Sequence, residues 1–290
     1  MRKWWRKLSE ALGFALLGLA ALLVVAVLVL IMYDIVAKGG KAVTWEFITQ
    51  KPTKGMTAGG IWPAIVGTFW VSLVTVTVSV PLGMCAAIYL NEYARQGRLV
   101  RLIRVAIRNL SGVPSIVYGL FGLGLFVLTL NLGLSVLAAG FTLGLLTLPW
   151  TITASEEALK TVAFSYREGA LALGATKWQT IRTNVLPYAV PGMLTGTILG
   201  LARAAGETAP ILFTGAAFFW PFLAPFPKVL TTQFMALPYH LFIMSTQHHE
   251  IGKVRPLAYG TALVLVMLIF LLNLGAVLIR YRFRRKFRRA

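Results

Sequence analysis

The chain alternates long apolar runs with short polar stretches. Ala11–Tyr33 carries no charged residue. A bilayer core about 30 Å thick needs about 20 apolar residues per helix, so this run predicts a first membrane-spanning helix. It follows the basic "MRKWWRKL", which a signal peptide would also show. The run is long for such a peptide, however, and "IMYDIV" offers no small-residue cleavage site. A second helix is predicted over Trp62–Tyr89. Its stretch "FWVSLVTVTVSV" is β-branched and strand-like, but a lone strand in lipid would leave its backbone groups unpaired. Asn109–Ser155 is uncharged and too long for one passage. It predicts two helices hinged near Asn131-Leu132-Gly133. Val190–Ala216 and Pro256–Ile279 supply the fifth and sixth. The expected fold is all-α, a polytopic membrane protein with six transmembrane helices.

Polar chemistry concentrates between the fourth and fifth runs, in "SYREGALALGATKWQTIRTNVLP", residues 165–187. Ser165 with Glu168 fits a capping box, Gly174 fits a helix stop, and Thr176 with Gln179 fits a second box. Pro187 is expected to end the second helix. The segment therefore reads as helix, glycine turn, helix. Trp178, Ile181 and Val185 form an apolar stripe able to lie on the membrane domain. The small Gly169, Ala170 and Ala172 sit beside Tyr166, Arg167 and Glu168, so the first helix could enter a partner's groove or simply rest on headgroups.

Composition fixes the solvent. The chain is 58% hydrophobic and 13% charged over 290 residues, more apolar surface than a soluble domain can hide. The net charge of +19 sits at the ends of apolar runs, which points to orientation across a bilayer rather than to nucleic acid. Alternate segments, from "RKWWRK" through Arg95–Arg108 and Lys160–Arg182 to the tail "RYRFRRKFRR", hold about three times the basic residues of the opposite side. Both termini and the residue 165–187 hairpin are therefore expected in the cytoplasm, with Asp34–Ile61 and Ala217–Arg255 facing outward. The single Cys85 can form neither an intramolecular disulfide nor a cysteine-cluster metal site.

Arg203 and Glu207 fall inside the fifth apolar run, one helical turn apart. A charge at membrane depth costs about 2.5–3.5 kcal/mol on insertion scales, so each should face a cavity or a partner. They could pin two helices, or line an anion pathway in which the planar guanidinium meets phosphate oxygens bidentately. Gly192, Gly196, Gly200 and Ala204 repeat at four-residue spacing and predict a close packing seam. Pro114 and Pro210 are candidate helix breaks, and Pro81 a kink.

The hairpin resembles the EAA loop of the integral membrane subunits of bacterial ABC importers. Glu168, Ala170, Gly174, Leu186 and Pro187 match that pattern in register, while Gly169 and Asn184 depart from it. The resemblance spans about Trp62–Tyr281. It implies the ABC importer permease fold and makes residues 165–187 the coupling helix that docks on a cytoplasmic ATPase, through Tyr166, Arg167, Glu168, Gly169, Ala170, Gly174, Leu186 and Pro187. "ARAAGETAPILFTGAA" and "TTQFMALPYHLF" are similar to the PstA-type subunit of the high-affinity phosphate importer, more than to molybdate, sulfate or phosphonate permeases. The implied domains are 1–61, an N-terminal segment with the first helix; 62–281, the permease core; and 282–290, a basic cytoplasmic tail. The implied partners are two copies of an ATP-binding subunit, a second homologous permease forming a heterodimer, an extracytoplasmic phosphate-binding protein and membrane lipid. The expected location is the inner membrane, with Arg203 and Glu207 on the substrate pathway.

Other chemistries find little support. Gly40-Lys41 and Gly252-Lys253 are followed by Ala42 and Val254, so neither completes a nucleotide-binding loop. No Gly-x-Ser-x-Gly elbow occurs. A His248-His249-Glu250 metal site is conceivable, but a solvated loop is the expectation. An anion channel remains a distinct class, although a passive pore has no use for a coupling hairpin. The chain is expected to be no enzyme and to need no cofactor of its own.

Overall fold

The computed structural model describes residues 2–287, and the last three residues of the basic tail lie outside them. α1 (Arg2–Ala42) overruns the first apolar run at both ends. Most of its large apolar side chains between Leu12 and Val36 are exposed, as suits a helix sheathed in lipid. At the end away from the hairpin it meets α12 (Ile251–Phe287). Any side chain at Gly39 would collide there with the backbone carbonyl of Tyr259. A small cap follows at this far end. α2 (Trp45–Thr49) starts where the Thr44 hydroxyl accepts from the Phe47 amide. β1 (Pro52–Thr53) then pairs antiparallel with β2 (Ala58–Gly59).

α3 (Trp62–Ile88) shows why the β-branched run can be helical. Thr68 and Thr75 are buried, and each hydroxyl donates to the carbonyl four residues back, so neither is left unpaired. Pro81 sits inside α3 without ending it, and the helix closes in a π-helical turn over Tyr89–Tyr93. α4 (Arg98–Leu110) and α5 (Ser115–Gly122, prolonged by a π-helical turn over Leu123–Thr129) meet at 101°, with Pro114 capping α5. The hinge predicted at Asn131-Leu132-Gly133 is present. Asn131 and Gly133 adopt φ of 50° and 62°, which stops the helix before Ser135 caps α6 (Val136–Lys160).

The hairpin comprises α7 (Ser165–Ala172) and α8 (Lys177–Thr180), and α9 (Leu186–Gly206) rises from it. α10 (Ala209–Thr214) and α11 (Leu237–Thr246) complete the far half before α12. Among the described residues, five continuous helices are long and apolar enough to cross a bilayer, and the count is six if the bent pair α4–α5 is taken as one span.

Buried side chains gather in two main layers. One lies toward the far end, where α3, α6 and α11 bury Val71, Leu143, Leu237 and Ile243. The other lies at the hairpin end, where Leu90, Val100, Leu159, Val185 and Met193 meet. The small-residue seam on α9 packs on α6 at Gly192 against Ala158 and at Gly196 against Ala154, and Ala204 is buried.

Three local expectations are corrected. The fifth run is not one helix. α9 stops at Gly206, Glu207 is extended, and Pro210 opens α10. Pro187 does not end the second hairpin helix. A π-helical turn over Ile181–Val185 carries α8 into α9, and Pro187 falls in the first turn of α9, where its missing N–H is no loss. Ser165 and Glu168 form no capping box. The turn before them already provides acceptors, since Arg167 and Glu168 donate their amides to the Phe164 carbonyl.

Candidate coupling surface and transport pathway

The hairpin is rigid for reasons that can be named. Thr176 and Gln179 form the predicted reciprocal box: the Thr176 amide donates to Gln179 Oε1 at 2.8 Å, and the Gln179 amide donates to Thr176 Oγ1 at 3.3 Å. Gly174 has φ +82°, the left-handed conformation that a side chain disfavours. Lys177 Nζ lies 5.2 Å above the Tyr93 ring, and the Tyr166 and Tyr188 rings stand 4.8 Å apart.

Arg167 is the anchor of this unit. Its Nη2 donates to Glu92 Oε1 at 2.7 Å and its Nε to Glu92 Oε2 at 3.2 Å, a two-pronged pair with the end of α3. Nη1 also donates to the Val162 carbonyl, just past the end of α6, and Nη2 to that of Leu159 in its last turn. Beside it, Arg104 of α4 donates to Glu156 Oε1 at 3.0 Å, to Gln96 Oε1 at 2.7 Å and to the Leu90 carbonyl at 3.0 Å. The Glu92 and Glu156 side chains are only 7% and 8% exposed. Two buried ion pairs thus tie α3, α4, α6 and α7 into one block. Sequence reasoning missed Glu92, Arg104 and Glu156, because the partners lie 75 and 52 residues apart along the chain.

The expected coupling residues therefore separate by position. Tyr166, Glu168 and Gly169 are exposed on α7, and Gly174 forms the exposed turn. Ala170 is buried and Arg167 is turned inward, so both hold the hairpin in place. Leu186 and Pro187 are half-buried at the base of α9, away from the tip. Of the apolar stripe, Ile181 and Val185 are buried, but Trp178 is exposed. Leu173, not singled out beforehand, is 90% exposed beside Gly174, with Phe164 and Leu171 exposed nearby. These side chains form an apolar knob at the end of a polar hairpin.

Within the span, Arg203 and Glu207 do come together. Arg203 Nε donates to Glu207 Oε1 at 3.3 Å, a long bond, and the guanidinium carbon lies 5.3 Å from the centre of the Trp150 ring. The Arg203 side chain is 47% exposed, and Glu207 is its one hydrogen-bond partner among the described residues. Trp150 lies near the middle of α6, so the pair sits at mid-span. Glu207 is also where α9 unwinds. Non-helical backbone at that depth is tolerated where it is buried in protein or lines a water-filled cavity.

Of the adjacent far-end histidines, His249 is exposed as a solvated loop would have it, but His248 is not. His248 is buried, its Nε2 lies 2.7 Å from the Gly55 carbonyl, and the Glu250 amide donates to its Nδ1 at 3.1 Å. That arrangement places the proton on Nε2 and makes the ring a clasp between two far-end segments. No metal-binding group of three ligands occurs among the described residues. His240 on α11 is buried without a partner for Nδ1, and burial, with the neighbouring His248, pushes it down to about 4.

Known proteins resemble the chain over this whole architecture. A family described as the binding-protein-dependent transport system inner membrane component matches residues 79–289. The probable ABC transporter permease protein YqgI of Bacillus subtilis is 31% identical, covering 93% of this chain and 95% of that protein. The phosphate transport system permease protein PstA 1 of Mycobacterium tuberculosis is 35% identical, covering 88% and 83%. Among solved structures, a bacterial ABC transporter involved in the import of the polysaccharide alginate superposes with a TM-score of 0.64 at 12% identity, covering 97% of this chain and 99% of that one. That likeness speaks for the fold alone.

Proposed function

The chain belongs to the family of binding-protein-dependent transport system inner membrane components, and from that premise we propose that it is the permease subunit of an ABC importer of inorganic phosphate. The substrate rests on one observation: a relative named as a phosphate transport permease is 35% identical over 88% of this chain. The chain is a transport component and not an enzyme. It associates with ATP-binding subunits and a substrate-binding protein. The finer assembly is part of the proposal: two ATPase copies, and a different permease as the partner across the pathway. The hairpin end, which holds most of the basic residues, faces the cytoplasm together with both termini.

The geometry suggests how the parts work. The ATPase grips Phe164, Tyr166, Glu168, Gly169, Leu171 and Leu173 around the Gly174 turn. Movement of that grip reaches α3 through Arg167–Glu92 and α6 through the Leu159 and Val162 carbonyls. Leu186 and Pro187 carry it directly up α9 to the break at Glu207. Arg203, held by one long bond, can exchange Glu207 for a phosphate oxygen and take it back, so that the anion is met without being trapped. Glu207 keeps a compensating charge beside the guanidinium when the pathway is empty.

Phosphate uptake into vesicles containing this chain and its neighbouring transport proteins tests the proposal. ATP-dependent accumulation of phosphate, with sulfate and molybdate left outside, is the expected result. Accumulation of another oxyanion in place of phosphate would overturn the substrate, and downhill flux without ATP would make the protein a channel.

A further inference from the structure

α4 presents three faces, and only one is used by the protein. Val100 and Ile107 turn inward onto the hairpin-end core, next to Arg104 in its bridge with Glu156. On one flank Leu99, Leu102, Ile103, Ala106 and Leu110 are exposed, and they fall within about a third of the helix circumference. On the other flank Arg98, Arg101 and Arg108 are exposed, and none makes an ion pair among the described residues. Apolar and basic flanks on opposite sides of a helix whose back is fixed to a membrane protein form a defined geometry. The 101° turn into α5 adds a second constraint. α5 and its π-helical turn pack into the bundle against α6 and α10, and α4 runs nearly perpendicular to them.

We propose that α4 is an interfacial helix that binds anionic phospholipid at the hairpin end of the bilayer. The leucine flank lies among the upper acyl carbons, and Arg98, Arg101 and Arg108 hold phosphodiester groups. An apolar stripe exposed beside a row of arginines suits a surface that is greasy beneath and negative above. Arginine adds planar, two-pronged recognition of each phosphate. Because Arg104 ties the same helix to α6, and Gln96 and the Leu90 carbonyl tie it to the end of α3, lipid charge would act on the block that carries the hairpin. The inference needs only a membrane-spanning chain and stands apart from the identity of the transported anion.

The test uses the full chain in proteoliposomes, with Cys85→Ser and Leu102→Cys bearing an environment-sensitive fluorophore. Vesicles of phosphatidylcholine are compared with vesicles that also contain phosphatidylglycerol. Quenching by lipids spin-labelled near the headgroup should rise about threefold in the anionic vesicles, and water-borne iodide should quench poorly. Arg98→Gln, Arg101→Gln and Arg108→Gln together should remove the anionic dependence, while the three lysine substitutions should keep most of it. Strong iodide quenching would show the flank in water and end the proposal. Protection from both quenchers would mean that a protein covers α4 instead. Equal lipid quenching in both vesicle types would remove anion recognition.

Discussion

Among the described residues, three arginine–glutamate pairs occupy two regions of the molecule, and they are built differently. At the hairpin end, each of the Arg167 and Arg104 guanidiniums meets a buried carboxylate and two further oxygens. At mid-span, Arg203 holds one long bond to a glutamate just past the end of its own helix and leaves its remaining donors free among the described residues. A buried pair of the first kind cannot release its cation without stranding a charge, at a cost of about 3–5 kcal/mol. The Arg203–Glu207 pair, with its cation 47% and its carboxylate 17% exposed, gives up about 1 kcal/mol or less where it faces water. The same two side chains therefore serve as a rivet in one place and as a releasable contact in the other. What separates them is how many elements converge on the guanidinium.

The contrast can be attacked at several strengths of effect. Glu92→Gln should do the most damage to stability. It leaves Arg167 buried without its counter-charge and should cost about 3–5 kcal/mol, seen as a loss of folded protein in the membrane. Glu92→Gln combined with Arg167→Gln should recover much of that loss, because no buried charge then lacks a partner. Equal loss in the single and double variants would contradict the rivet.

His240 offers a buried titratable group with no ionic partner. Its folded pKa of about 4 lies below the unfolded value, so protonation favours the unfolded chain. Stability should be intact above pH about 6.5, fall as the pH drops, and level off below about 4, a total of about 3 kcal/mol. Following thermal unfolding against pH checks this, and His240→Gln should flatten that window.

Gly174→Ala tests the turn alone. Nothing lies within 4 Å of the added methyl group, so the penalty is the left-handed backbone itself, about 1–2 kcal/mol. Insertion should be unaffected and ATP-dependent uptake reduced. Unchanged uptake would show that the turn has no part in coupling.

Much of the architecture was legible because bilayer physics leaves few choices. Uncharged runs of sufficient length had to be helices, and Asn131 and Gly133 adopt the backbone conformation that their residue types allow. The second capping box was legible for the same local reason. The misreadings share a cause: they depend on what neighbouring elements supply. The Ser165 box was pre-empted by the Phe164 carbonyl. Pro187 was absorbed by a π-helical turn. The break after Gly206 had a signal in Pro210, yet the apolar run around it concealed where the helix stops. The rivets were invisible, since no local pattern links Glu92 to Arg167 or Arg104 to Glu156. Arg203 and Glu207 were found because charge inside an apolar run is conspicuous, and their loose geometry only because the structure shows which donors remain free.

The most direct test of the account is the paired substitution Arg203→Gln with Glu207→Gln, with assembly and ATP-dependent phosphate uptake measured on the same membranes. The stability effect should be the smallest of all those above, under about 1 kcal/mol, since the Arg203 side chain is half-exposed and both charges of the pair leave together. Normal assembly with uptake abolished is the predicted result. Normal uptake would show that no charge is needed at mid-span and would contradict the account. Loss of assembly would contradict it as well, by making this pair a third rivet.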